Sequence, residues 1–142
     1  MPRIARTLRV WLLFVSSVAL SACDNGDSMT APTDVPNSVA ITQTFSATLP
    51  TNGARQHLIA AQPGTVTAIL AALSPSDSPI IGLAIGVWNG SFCSDVIAKD
   101  DATAGASVTG EATGASTLCV RVFDSAGMLV TPVEYVVMVT HY

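Results

Sequence analysis

The sequence predicts an all-β protein, a single antiparallel β-sandwich of seven to eight strands behind a signal peptide and a flexible tether. Three observations point there. Short runs rich in Val, Ile, Thr and Ala recur from Ser38 onward, and turn residues separate them at regular intervals. No window repeats with the 3.6-residue period of a helix. The apolar fraction is 49% against 11% charged residues, enough for a core and the opposite of a disordered composition. A chain of 142 residues suits one domain.

The elements follow in order. Val39 to Leu49 reads as a strand or a bent pair of strands, and Pro50-Thr51-Asn52-Gly53 as a turn. Arg55 to Ala61 is a second strand, turned back by Gln62-Pro63-Gly64. Thr65 to Leu73 is a third, with Val66, Ala68 and Leu70 on one face. An alanine-rich helix over Ala68–Leu73 competes there, but it is too short to stand alone. Ser74 to Pro79 is a loop. Ile80 to Trp88 alternates, with Ile81, Leu83, Ile85 and Val87 on one face and Gly82, Ala84, Gly86 and Trp88 on the other. The small residues on that second face call for close packing by a neighbouring backbone or ring. Asn89-Gly90 is a hairpin signal that returns the chain through Ser91 to Ala98. Lys99 to Gly105 reads as a polar loop, Ser107 to Ala112 as a weak strand and Gly114-Ala115-Ser116 as a turn. Thr117 to Phe123 is a strong strand carrying Leu118, Val120 and Val122 in phase. Asp124 to Met128 turns, and Val133 to Thr140 ends the series with Val133, Tyr135, Val137 and Val139 in phase.

The N-terminus has a different logic. Arg3, Arg6 and Arg9 precede the apolar run Val10–Leu20, and small residues follow at Ser21 and Ala22. This is the layout of a secretory signal peptide; the apolar run is about half the length of a bilayer span, which makes an uncleaved signal anchor the weaker alternative. Leu20-Ser21-Ala22-Cys23 resembles the lipobox of bacterial lipoproteins. The resemblance implies a lipidated Cys23 at the head of the mature chain, held on a membrane by its acyl chains, palmitate among them. An ordinary signal cleaved after Ser21 or Ala22 is the alternative. The predicted organisation is a signal peptide over 1–22, the lipidated Cys and a tether over 23–37, and the sandwich over 38–142. From Cys23 onward three basic residues face ten acidic ones, a balance of −7. Such a body is repelled by phosphate backbones, which excludes nucleic-acid binding.

Several stretches carry a second resemblance. Gly64-Thr65-Val66-Thr67-Ala68-Ile69-Leu70 is followed by Ile81-Gly82-Leu83-Ala84-Ile85, then by Ile97-Ala98-Lys99-Asp100-Asp101. Ser116-Thr117-Leu118-Cys119-Val120-Arg121-Val122 and Glu134-Tyr135-Val136-Val137-Met138-Val139 complete the order. Over 42–142 this is similar to the bacterial pre-peptidase C-terminal domain, a secreted β-sandwich appended to exported enzymes. The chain departs from it at Leu118-Cys119, where the family carries a double aromatic. The resemblance puts Asp100 and Asp101 at the position of an acidic pair, and some members bind calcium. Two adjacent carboxylates fall far short of the six to eight oxygens calcium takes, so a solvated turn is the expectation and no cofactor is assigned.

Few residues suggest chemistry. With Cys23 lipidated, Cys93 and Cys119 remain as an even pair in an oxidising compartment, which predicts a disulfide; two buried free thiols are the alternative. His57 and His141 are the only imidazoles, and neither sits in a nucleophile–base–acid frame. Both read as structural. Trp88 is a candidate for stacking on a ligand, or for covering the small-residue face of its own strand. These readings predict a non-enzymatic, lipid-anchored module of the bacterial cell envelope, facing the periplasm or the outside, with a protein or glycan partner. An accessory domain for a separately encoded exported peptidase or other hydrolase is the alternative.

Overall fold

A computed structural model describes residues 38–75 and 80–142. The expected signal peptide, Cys23 and the expected tether lie outside the described residues. The body is a β-sandwich of two four-stranded antiparallel sheets. Its strands are β1 (Ile41–Leu49), β2 (Ala54–Ala61), β3 (Gly64–Ser74), β4 (Ile81–Trp88), β5 (Cys93–Ala102), β6 (Ser107–Ala112), β7 (Ser116–Phe123) and β8 (Val133–His141). A short 3-10 turn over Ser125–Gly127 precedes β8. One sheet (sheet A) has the order β1-β8-β3-β6 and the other (sheet B) β2-β7-β4-β5. Only β4 and β5 are consecutive strands of one sheet; every other connection crosses between the sheets.

The core is built by alternation. Val66, Ala68 and Leu70 of β3, Leu118, Val120 and Val122 of β7, and Val133, Tyr135, Val137 and Val139 of β8 all point between the sheets and are buried. Each branched aliphatic so buried contributes about 1.5–3 kcal/mol relative to exposure. A bulge in β3 between Leu70 and Ala72 shifts the register against β8. The extra residue returns Leu73 to the interior three positions after Leu70.

Strand β4 is buried on both faces. Ile81, Leu83 and Ile85 fill the core, while Gly82, Ala84 and Gly86 face outward yet are covered as well. A side chain at Gly82 would run into the Phe123 ring, and one at Gly86 into the backbone of Ser94 and Asp95. The expected close approach is thus by a ring at one glycine and a strand backbone at the other. The in-phase pattern fails only at Val87, which is exposed at the strand end.

Apart from shifts of one or two residues at other strand ends, two stretches differ from the sequence reading. The chain between β4 and β5 is a four-residue loop, 89–92. Asn89 Oδ1 accepts the backbone N–H groups of Ser91 (2.9 Å) and Phe92 (3.0 Å). That side-chain turn replaces a tight two-residue reversal. The predicted polar loop at Lys99 is instead strand to Ala102, which is buried opposite Ile81. As an edge strand, β5 tolerates Lys99, Asp100 and Asp101 because one of its sides is open to water. Two register shifts against β4 hide its alternation.

Asp124 ties the turns at one end. It accepts the N–H of Asn52 (2.7 Å) through Oδ2 and the N–H of Met128 (2.9 Å) through Oδ1. Gly86→Ala is expected to lower the unfolding free energy by about 1–3 kcal/mol, the cost of overpacking against a backbone that cannot yield. At Gly114 a methyl meets nothing within 4 Å, and Gly114→Ala is expected to change stability by less than about 0.5 kcal/mol. Denaturant unfolding of the two variants checks the contrast.

Candidate functional site

Over β4, the outer face of sheet B is covered by the chain's own residues. Because β4 carries Gly82, Ala84 and Gly86 there, the start of β5 can lie across it and reach β7. Cys93 and Cys119 form a disulfide (S–S 2.01 Å). Two residues further on, Asp95 Oδ2 accepts a hydrogen bond from Arg121 Nη1 at 2.6 Å. The Arg121 guanidinium in turn sits 4.6 Å from the centre of the Phe123 ring, a cation–π contact. The expected cysteine pairing is therefore present, and its place is a strap joining β5 to β7 over β4.

Other sequence candidates are dispersed. Asp100 and Asp101 lie on β5, not on a turn, and both are exposed. Asp101 pairs with Lys99 at 2.8 Å, and that ammonium holds its carboxyl below the ordinary carboxylate value. Among the described residues no group of three or more His, Cys, Asp or Glu comes together as a metal site. Trp88 is half-buried at the end of β4; the ring over Gly82 is that of Phe123. His141 is buried at the end of β8, with Nδ1 3.1 Å from the Tyr142 carbonyl and Nε2 without a partner.

His57 belongs to an aromatic group that closes the sandwich between β1 and β2. Its ring stacks on Phe45 at 4.6 Å and meets Tyr135 edge-on at 5.8 Å. His57 Nε2 and Tyr135 Oη share a hydrogen bond of 2.7 Å. Burial lowers the His57 value from 6.5 and pushes the Tyr135 phenol up to about 12, with Arg55 opposing the shift. Each imidazole is thus engaged in packing; the one hydroxyl either meets is the Tyr135 phenol, and neither is hydrogen-bonded to a Ser, Thr or Cys side chain among the described residues.

The outer face of sheet A is different in kind. Thr42, Thr44, Ser46 and Thr48 of β1 point outward in series. In register across the sheet run Thr42, Thr140, Thr67 and Thr109. Thr42 and Thr140 share a hydrogen bond of 2.9 Å, and Thr67 and Thr109 one of 3.2 Å. At the other end of the face lies an open hollow of about 350 Å³ across β1, β8 and β3. Glu134 sits between Thr48 and Ser74, and Val136 between Ser46 and Ala72. The flanking side chains are small, which makes the surface concave. Glu134 carries no signal in the sequence because its neighbours come from strands up to 86 residues away in the chain (Thr48 and Glu134). Only the outward phase of β8, with Glu134 offset from Tyr135, hinted at it. Hydroxyls, a carboxylate and a patch of aliphatic surface can recognise a ligand; they do not form a nucleophile–base pair.

Two measurements test these assignments. Removing the strap with the pair Cys93→Ala and Cys119→Ala is expected to cost about 3.5 kcal/mol, the chain-entropy value for a loop of this length; urea unfolding reads it. The lowered His57 value means the unfolded chain binds this proton more tightly than the folded one. The resulting stabilisation is fully present above the unfolded value of 6.5 and is lost as pH falls through the lower folded value. Stability is therefore expected to fall on acidification below neutrality, and the His57 component of that fall to vanish in His57→Gln.

No family model matches the chain, and no curated protein matches it. Among solved structures it is similar to the crystal structure of Aeromonas hydrophila PliG, a periplasmic lysozyme inhibitor of g-type lysozyme. The identity is 13% and the TM-score 0.50, over 70% of this chain and 87% of that one. At that identity the likeness is one of fold.

Proposed function

We propose that the protein is a lipid-anchored, non-enzymatic β-sandwich of the bacterial cell envelope whose body binds a protein partner. The observation that carries this reading is the outer face of sheet A. It pairs a hollow of about 350 Å³ with hydroxyl rows and a carboxylate, while both imidazoles serve the packing elsewhere. The disulfide Cys93–Cys119 fits an oxidising, exported setting. The fold likeness to a periplasmic inhibitor supplies a precedent for a sandwich of this kind working by binding. Anchoring rests on the lipobox resemblance of Leu20-Ser21-Ala22-Cys23. The similarity of 42–142 to the pre-peptidase C-terminal domain favours a second reading, in which the partner is a separately encoded exported hydrolase.

Labelling cells with a palmitate analogue tests the anchor: the label is expected on the wild-type protein and absent from Cys23→Ala, which also moves from membrane to soluble fraction. Chemical cross-linking of the mature protein in intact cells tests binding, and a discrete adduct is expected. An unlabelled wild type refutes the anchor; the lack of any adduct refutes the binding role. A hydrolase in the adduct selects the second reading.

A further inference from the structure

The charges of the body are divided between its two sheets. The four strands of sheet A contain two carboxylates, Glu111 and Glu134, and no Lys or Arg. All three cations of the body lie on sheet B, Arg55 on β2, Lys99 on β5 and Arg121 on β7. Two of them are engaged in ion pairs with Asp101 and Asp95. Glu111 accepts a hydrogen bond from Thr65 Oγ1 at 2.7 Å. Glu134 is different: among the described residues no hydrogen bond or ion pair reaches its carboxylate, although hydroxyls flank it in register on both sides. An exposed carboxylate in a hollow, on a face whose strands carry no cations, attracts positive charge, and none of the described residues neutralises it.

We propose that the hollow on the outer face of sheet A docks a basic, extended segment of a protein partner, with one Lys or Arg side chain set on Glu134. The chemistry of the hollow matches such a side chain along its length. Val136 and Ala72 offer apolar surface to its methylene stem, as basic side chains commonly use. Glu134 receives the charged head, and Ser46, Thr48 and Ser74 accept its remaining N–H groups. A guanidinium can take the carboxylate through two parallel bonds. The outer face of sheet B cannot serve in the same way, because Arg121, Asp95 and Phe123 already satisfy one another there.

This inference rests on the proposed protein-binding role and names the surface and partner chemistry for it. The test uses the mature protein carrying Cys23→Ala, titrated with an arginine- and lysine-rich decapeptide and followed by amide NMR shifts and calorimetry. Shifts are expected on the residues around Glu134 in β1, β3 and β8, with binding that weakens as salt is raised. Glu134→Gln is expected to weaken binding about fivefold, the scale of one exposed ion pair, and Glu134→Asp to retain most of it. Asp100→Asn, which removes the same charge from sheet B, is expected to change nothing. Equal weakening by Asp100→Asn, shifts centred away from Glu134, or the same shifts from a neutral N-acetylglucosamine oligomer would each overturn the proposal. Glu134 is exposed, so its variants are expected to fold, and an unchanged remainder of the spectrum verifies this. If a cross-linked partner is found in cells but the peptide shifts centre away from Glu134, the docking face is wrong and the binding role stands. If the peptide binds as described and no cross-linked partner exists, the role fails and the face stands.

Discussion

The arrangement of sheet B turns on the missing side chains of β4. A central strand of a sandwich ordinarily presents one face to the core and one to water. Here Gly82, Ala84 and Gly86 leave the outer face so shallow that other parts of the chain settle on it. The Ser94–Asp95 backbone takes the space above Gly86, and that displacement brings Cys93 within bonding distance of Cys119. The same approach lets Asp95 meet Arg121, which completes the cover over Phe123. One constraint, the absence of volume on alternate positions of one strand, thus fixes the disulfide, the ion pair and the ring together. It also covers the outer face of β4, whereas the outer face of sheet A stays open.

The sheet edges are finished by different means. Between β1 and β2 the gap is filled by Phe45, His57 and Tyr135. A hydrogen bond joins the imidazole to the phenol, so burying both polar tips costs little. Between β5 and β6 the Ile97 side chain is packed so tightly on Gly110 that a methyl there would lie 2.9 Å from it. Histidine in this chain is a packing element with a polar tip, which is why neither imidazole gathers the partners that chemistry requires.

Much of the fold was legible in the sequence because alternation and burial coincide in β3 and β8, and the branched core residues of β4 and β7 still recur at every second position. Val66–Ala68–Leu70 and Val133–Tyr135–Val137–Val139 are each inward-facing sets readable from the chain alone. The cysteine pair was legible only through the expectation that Cys23 is lipidated and the body exported, which leaves Cys93 and Cys119 as an even pair. The end of β5 was not, because an edge strand with two register shifts and three charged residues loses the pattern that marks a strand. Nor was the loop at Asn89, where a side-chain oxygen does the work of a backbone turn. The hollow around Glu134 was illegible for a deeper reason. It is a property of three neighbouring strands, and no single stretch of sequence contains it.

The strand order carries a kinetic consequence. In sheet A, β8 lies between β1 and β3, and Ile41 faces His141 across the first ladder. A chain delivered from its N-terminus therefore exposes β1 long before its hydrogen-bonding neighbour exists. Since six of the seven connections cross between sheets, no early hairpin outside β4–β5 can hold a partial structure. Closing such distant contacts has a loop-entropy cost that only the finished sandwich recovers. Assembly is accordingly a late, all-or-none event, and until β8 arrives the nine backbone positions of β1 stand open to any other unpaired strand in the compartment.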